Sequence, residues 1–291
     1  MVARSKYASN SDTRKPPLPR QAKLAIGAGV AVVVAAAAVV GLDVATSGPA
    51  PVPAAAASYA GSLELNASGS QLASWNQTST YCTEDSWEVP DGAVSTDSSG
   101  DATLSTTGKP GSCVAIISPQ AYSSGVIEAD IDFPALPGNP KTIADWSALW
   151  LTDQANWPAD GEIDAVEAEP ATGVNAVAYH WGKAQSPLSV STDGFAPDGK
   201  LPIDGPNLTP GWHTVDIVFT KGFFAVYYDG KKFTSSSSSV ITGTALNIIL
   251  STSVTPNTSA VDQTIGGGSP KNSDSSPATI AIKSLKIWSY K

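Results

Sequence analysis

Gly125-Val126-Ile127-Glu128-Ala129-Asp130-Ile131-Asp132-Phe133 alternates without a break. In an extended chain Ile127, Ala129, Ile131 and Phe133 fall on one side, and Val126, Glu128, Asp130 and Asp132 on the other. The spacing predicts a β-strand with one face on a core and one polar face. Further along, Val215–Phe219 and Phe223–Tyr228 predict strands, and Asp229-Gly230 supplies the two-residue turn of a hairpin into Lys231-Lys232-Phe233. Thr279–Tyr290 predicts a closing strand, while the serine run Ser235–Ser239 and the segment Gly266–Pro277 read as loops. From about Gly61 onward, short β-branched and aromatic runs are broken by Gly, Pro, Asn, Asp and Ser, the texture of an all-β domain. The 25 glycines, 22 prolines and eight tryptophans agree with that class.

Upstream of this domain the texture is different. Residues 1–23 form a basic segment with a charge of about +5, so the remainder carries about −14 of the overall −9. Leu24 to Leu42 reads LAIGAGVAVVVAAAAVVGL, 19 uncharged residues, and an Ala/Pro-rich linker at 43–60 follows. This is the pattern of an apolar targeting helix that engages the membrane or the export machinery. The stretch approaches the ~20 residues that cross a bilayer, so a cleaved signal and a transmembrane anchor both fit it. Either places residues 61–291 outside the cytoplasm, secreted or anchored. Cys82 and Cys113, the only cysteines, would then meet an oxidising compartment, as a disulfide or as two buried thiols. All three arginines (Arg4, Arg14, Arg20) precede the apolar run, so the acidic remainder is poorly suited to nucleic acid and better suited to a neutral ligand.

One segment concentrates acidic chemistry: Trp157-Pro158-Ala159-Asp160-Gly161-Glu162-Ile163-Asp164-Ala165-Val166-Glu167. In a regular strand Glu162 and Asp164 share a face and Glu167 points the other way. A β-bulge at Ala165-Val166 adds the residue that brings all three to one face, and bulges commonly re-aim side chains beside active sites. Two carboxyls roughly 5–5.5 Å apart are what a retaining glycosidase needs, and crowding raises the pKa of one member so that it remains a proton donor. A solvated acidic strand or a cation site would use the same residues.

The order of motifs resembles glycoside hydrolase family 16, in its laminarinase-like branch with E-x-D-x-x-E on a bulged strand. Ser124–Pro134 is similar to the first recognisable strand of that family, Trp146-Ser147-Ala148-Leu149-Trp150-Leu151 to the strand before the active-site segment, and Trp157–Asp164 to that segment. Ala178-Tyr179-His180-Trp181-Gly182, Gly211-Trp212-His213-Thr214 and Tyr228-Asp229-Gly230 follow in the expected order. The resemblance implies a concanavalin A-like β-jelly-roll sandwich of two antiparallel sheets with a concave substrate cleft. It also implies Glu162 as nucleophile, Glu167 as acid/base and Asp164 as helper to the nucleophile, with Trp157, His180, Trp146, Trp181 and Glu128 among the sugar contacts.

Two departures stand out. Glu128-Ala129-Asp130 replaces the family's E-A-R, and Ile282-Lys283-Ser284-Leu285 lacks the aspartate that often lies near a structural calcium. Trp150 reads as core and His213 as structural, and the two histidines are not spaced as metal ligands, so neither metal nor cofactor is expected. The resulting expectation is an exported, monomeric, endo-acting retaining β-glucanase acting on β-1,3- or mixed-linkage glucan. A transglycosylase of the same chemistry and a lectin-like jelly roll without turnover are the alternatives.

Overall fold

The structure, a computed structural model, describes residues 54–75, 77, 82, 87–153, 155, 160–169, 174–181, 208–254 and 277–291. Contacts divide the chain into Met1–Thr46 and Ser47–Lys291, and every described residue lies in the second unit. The expected targeting helix at 24–42, Trp157 and most of the Gly266–Pro277 loop lie outside the described residues.

Among the described residues two antiparallel sheets carry the fold. The larger runs β13 (Lys231–Ser237), β12 (Phe223–Tyr228), β11 (Gly211–Thr220), β5 (Gly125–Phe133), β15 (Thr279–Tyr290), β3 (Ala102–Ser105) and β2 (Val94–Thr96), with β1 (Ala60–Ser68) also paired to β15. The smaller runs β10 (Val174–His180), β9 (Glu162–Glu169), β8 (Ala148–Thr152), β14 (Leu246–Ser253) and β4 (Cys113–Tyr122). A small ribbon pairs β6 (Ala135–Leu136) with β7 (Asn139–Ile143), and one helical turn, α1 (Gly69–Leu72), follows β1.

The alternation read in β5 is realised. Ile127, Ala129, Ile131 and Phe133 enter one large core together with Val215, Ile217, Phe224 and Val226 of the same sheet. From the smaller sheet the same core takes Val114, Ile116, Leu149, Leu151, Ile163, Ile248 and Leu250. Each fully buried aliphatic or aromatic side chain contributes about 1.5–3 kcal/mol, so this interlayer is what holds the sheets together. A register shift between Ile282 and Ser284 on β15 changes its inward set from Ile280 and Ile282 to Leu285 and Ile287.

The outer faces also carry apolar clusters. On the larger sheet Val126, Val218, Tyr227 and Trp288 pack with Ala56 and Ala60. On the smaller sheet Ala115, Ile117, Ala148, Trp150 and Ile249 pack with the Cys82–Cys113 disulfide. The hairpin turn has Asp229 and Gly230 both at positive φ (51° and 73°), the backbone that a two-residue turn between twisted strands requires. One expectation fails: Ser235–Ser237 are strand, not loop, because they continue the ladder of β13 against Phe223–Ala225.

Candidate active site

β9 departs from regular pleating at one place. On one side its ladder steps from Leu149↔Val166 to Trp150↔Asp164, and on the other from Ala176↔Glu167 to Ala178↔Asp164. Both neighbours therefore oppose one residue fewer, and Ala165 has no ladder partner on either side. This is a bulge at Ala165-Val166. Ile163, Ala165, Val166 and Ala168 all enter the core between the sheets. Two consecutive inward residues can coexist only if the parity changes between them, so Glu162, Asp164 and Glu167 are left on the outer face of the smaller sheet.

The bulge needs substitute hydrogen bonds, because a buried peptide group left unpaired costs about 1–3 kcal/mol. The buried Tyr228 hydroxyl, reaching across from the inward face of β12, donates to the Ala165 carbonyl at 2.6 Å. Asn175 Nδ2–H donates to the same hydroxyl at 2.5 Å, and Asn175 Oδ1 accepts from the Glu167 N–H at 3.0 Å. Burial holds the Tyr228 phenol well above its ordinary pKa, so it stays a neutral donor.

The entry into β9 is fixed from the other end. Gly161 has φ 97°, and a Cβ there would lie 2.5 Å from the Tyr179 hydroxyl, so both backbone and space require glycine. Thr152 Oγ1 donates to the Gly161 carbonyl at 3.1 Å, and Thr242 Oγ1 to the Asp160 carbonyl at 2.5 Å. The two residues just before Glu162 are thus held, Gly161 from the sheet and Asp160 from the loop.

Glu162 and Asp164 are buried to 9% and 6% exposure. Their side chains are hydrogen-bonded to each other, and burial raises the Asp164 carboxyl to about 7 despite that bond. Two carboxylates in one buried space do not both ionise freely, so near neutral pH the pair shares a proton. His180 stands opposite Glu162 in the ladder, with Nε2 at 3.0 Å from Asp164 Oδ2. One ligand atom each from Glu162, Asp164 and His180 falls within a 4.8 Å cluster, a donor set in which a cation would compete with the shared proton. Glu167 is half-buried, and the Trp146 indole N–H donates to its Oε1 at 3.2 Å. The arrangement thus offers one carboxyl pair holding a proton and, on the same face, a second glutamate held by an indole.

Residues 67–194, which contain this strand and its partners, match the sequence model described as the XgeA-like, catalytic GH16 domain. Over this segment the chain is similar to glycoside hydrolase family 16. No curated protein sequence matches the chain. Its fold is similar to that of a β-glucanase from Bacillus licheniformis, at TM-score 0.54 and 16% identity, covering 78% of this chain and 98% of that one. It is similar also to laminarinase 16A from Phanerochaete chrysosporium, solved with β-glucans in donor and acceptor sites (TM-score 0.56, 17% identity, 80% and 99% covered). A κ-carrageenase from Pseudoalteromonas carrageenovora shares the fold at TM-score 0.58 and 16% identity, with 84% and 100% covered. At such identities the likeness is one of fold.

Within the matched segment the expected sugar contacts divide. Trp146 and His180 reach the carboxylates, and Trp157 lies outside the described residues. Glu128 does not join them: it lies on the outer face of the larger sheet, where Lys286 Nζ donates to its Oε1 at 2.6 Å. Alternation assigned it a polar face, but that face is on the far side of the sandwich. Trp181 is likewise turned away, stacked on Tyr179 at 6.0 Å and packed against the interlayer core, because positions 179 and 181 share the face opposite His180. Trp150, read as core, is buried in the apolar cluster with the Cys82–Cys113 disulfide on the outer face of the smaller sheet, its indole donating to Ser251 Oγ at 3.1 Å. His213 bonds Asp229 at 2.8 Å, away from the trio. A cavity of about 660 Å³ lined by Asp97, Asp101, Asp130, Asp132, Trp212 and His213 opens on the larger sheet and shares no residue with the trio. Asn175 and Tyr228 had no functional reading in the sequence; the Tyr228-Asp229-Gly230 motif marks a turn, and nothing in it signals a contact to β9.

Proposed function

We propose that the chain is an exported retaining endo-glycosidase that cleaves β-1,3- or mixed-linkage glucan across the outer face of the smaller sheet. The observation that carries this reading is the bulge, which gives Glu162, Asp164 and Glu167 a common face. In the first step the Glu162 carboxylate attacks the anomeric carbon, the glycosidic C–O bond breaks, and Glu167 passes its proton to the departing oxygen. In the second step water attacks the same carbon, Glu167 takes the proton from that water, and Glu162 leaves as carboxylate. Asp164 takes up the proton that this buried pair shares, which leaves Glu162 ionised for attack and supports its departure as carboxylate in the second step.

Substrate charge follows from the domain's acidity. With about −14 beyond the basic N-terminal segment, a neutral glucan meets less repulsion than an anionic polymer such as carrageenan. Export is supported by the Cys82–Cys113 disulfide, since such bonds persist in oxidising compartments, and by the apolar stretch 24–42.

The test is reducing-end release from a panel of soluble polysaccharides, with product analysis by chromatography. Wild-type chain is expected to shorten a β-glucan internally, and Glu162→Gln and Glu167→Gln are each expected to lose roughly 10²–10⁴-fold with the fold retained. Binding without release by the wild type would establish the lectin-like alternative, and full turnover by either variant would remove that residue from the mechanism.

A further inference from the structure

Resting on this assignment of Glu167, we propose that Asn175 and Tyr228 are positioning residues for proton transfer, acting through the bulge to aim Glu167 at the leaving oxygen. Only Glu167 depends on the bulge. Glu162 and Asp164 share a face by simple i, i+2 spacing whether or not an extra residue follows, whereas Glu167 reaches that face only because Ala165 is left out of both ladders. Two peptide groups at the change of parity are held by this pair: the Ala165 carbonyl by Tyr228 and the Glu167 N–H by Asn175. A third bond, from Asn175 Nδ2 to the Tyr228 hydroxyl, ties the two supports together.

The pair is also placed to be precise. Asn175 is 2% exposed and Tyr228 4%, so neither bond competes with solvent. Tyr228 belongs to the opposite sheet, where it packs on Phe233 at 4.6 Å between ring centroids. The Glu167 backbone is therefore referenced to the whole sandwich rather than to its own strand alone. The Trp146 indole then fixes the carboxyl end of the same side chain. Small displacements of a proton donor lower the rate steeply, since transfer requires hydrogen-bond geometry at the leaving oxygen.

The experiment is Tyr228→Phe, which keeps the ring and deletes one hydroxyl, assayed on aryl β-gluco-oligosaccharides whose leaving groups range from strongly to weakly basic. A residue acting through the acid lowers kcat/KM by about 10- to 100-fold for the basic leaving groups and leaves the dinitrophenyl substrate, which departs without a proton, within about twofold of wild type. In a Glu167→Gln background the same substitution then adds nothing further, because the group it serves is gone. A uniform loss across all leaving groups, or an additional loss on top of Glu167→Gln, would overturn the inference by showing a general packing role. So would an unchanged leaving-group dependence in folded Tyr228→Phe. Asn175→Ser, which retains a hydroxyl that can accept a hydrogen bond, is the second variant if Tyr228→Phe does not fold, and it is read by the same criterion. If wild-type enzyme hydrolyses none of these substrates, the glycosidase reading itself has failed, a result distinct from wild-type activity with a silent Tyr228→Phe.

Discussion

Asp216 on β11 supplies a test of the fold's electrostatics that does not depend on any substrate. It is 2% exposed, and its Oδ1 has no hydrogen-bond partner among the described residues. Burial, then the nearby carboxylates of Glu128 and Asp130, raise its pKa from 3.8 to about 7, while Lys286 opposes the rise and Asp229 adds to it. At about 1.4 kcal/mol per unit, that rise corresponds to about 4 kcal/mol at most. The folded state holds a proton that the unfolded chain has lost between pH 4 and 7, so the stabilising effect is complete below about pH 4 and is lost as pH rises through 7. Asp216→Asn keeps the shape and cannot ionise. In urea unfolding followed by tryptophan fluorescence, the variant is expected to match or fall below wild type at pH 5. At pH 8.5 it should exceed wild type, with a midpoint shift of up to about 1.3–2 M for an m-value of ~2–3 kcal/mol/M. Glu128→Gln should move the inflection to lower pH, since a charge that raises the Asp216 pKa is gone. Parallel midpoint curves for wild type and Asp216→Asn from pH 5 to 8.5 would refute this account of the outer face.

Two further outcomes follow from the site and its surroundings. Trp146→Phe removes the donor to Glu167 Oε1; a hydrogen bond to a charged group contributes about 1.5–3 kcal/mol. Hydrolysis should therefore fall at least roughly tenfold, and because the lost bond favours the anion, the alkaline limb of the kcat/KM profile should move to higher pH. Replacing Cys82 and Cys113 together by serine opens a loop with a sequence separation of 31. The loss expected from loop entropy is about 3–4 kcal/mol, readable as a lower thermal midpoint that dithiothreitol reproduces in the wild type and not in the variant.

The strands that were legible are those whose inward and outward residues differ in kind. β5 and β15 have the limits their sequence suggests because apolar and polar positions alternate along them. Ser235–Ser237 were misread because serine carries no strand signal of its own, yet the exposed edge at Phe223–Ala225 recruits them into a ladder and buries Thr234 and Ser236. Glu128 shows a different limit. Alternation states that it faces away from the core, but which of the two outer faces receives it depends on sheet order, and that is a property of pairing between β5, β11 and β15 rather than of any one segment. Asn175 and Tyr228 are farther out of reach: the bonds that make them significant join residues 53 and 63 positions apart.

The bulge itself was legible for a reason that bears on how the site works. Three carboxylates at 162, 164 and 167 belong to one face only if the strand contains an extra residue, so the spacing predicts a backbone irregularity before any coordinates exist. The irregularity divides the site into two halves with separate supports. The half before it, Glu162 and Asp164, is set by Gly161, by the bonds from Thr152 and Thr242, and by His180. The half after it, Glu167, is set by Tyr228, Asn175 and Trp146. In the two-carboxylate mechanism proposed above these halves perform different tasks, attack at the sugar carbon and proton transfer at the leaving oxygen. Substitutions on the first support should therefore lower kcat/KM for every substrate alike, while those on the second should lower it only for substrates whose leaving group needs a proton.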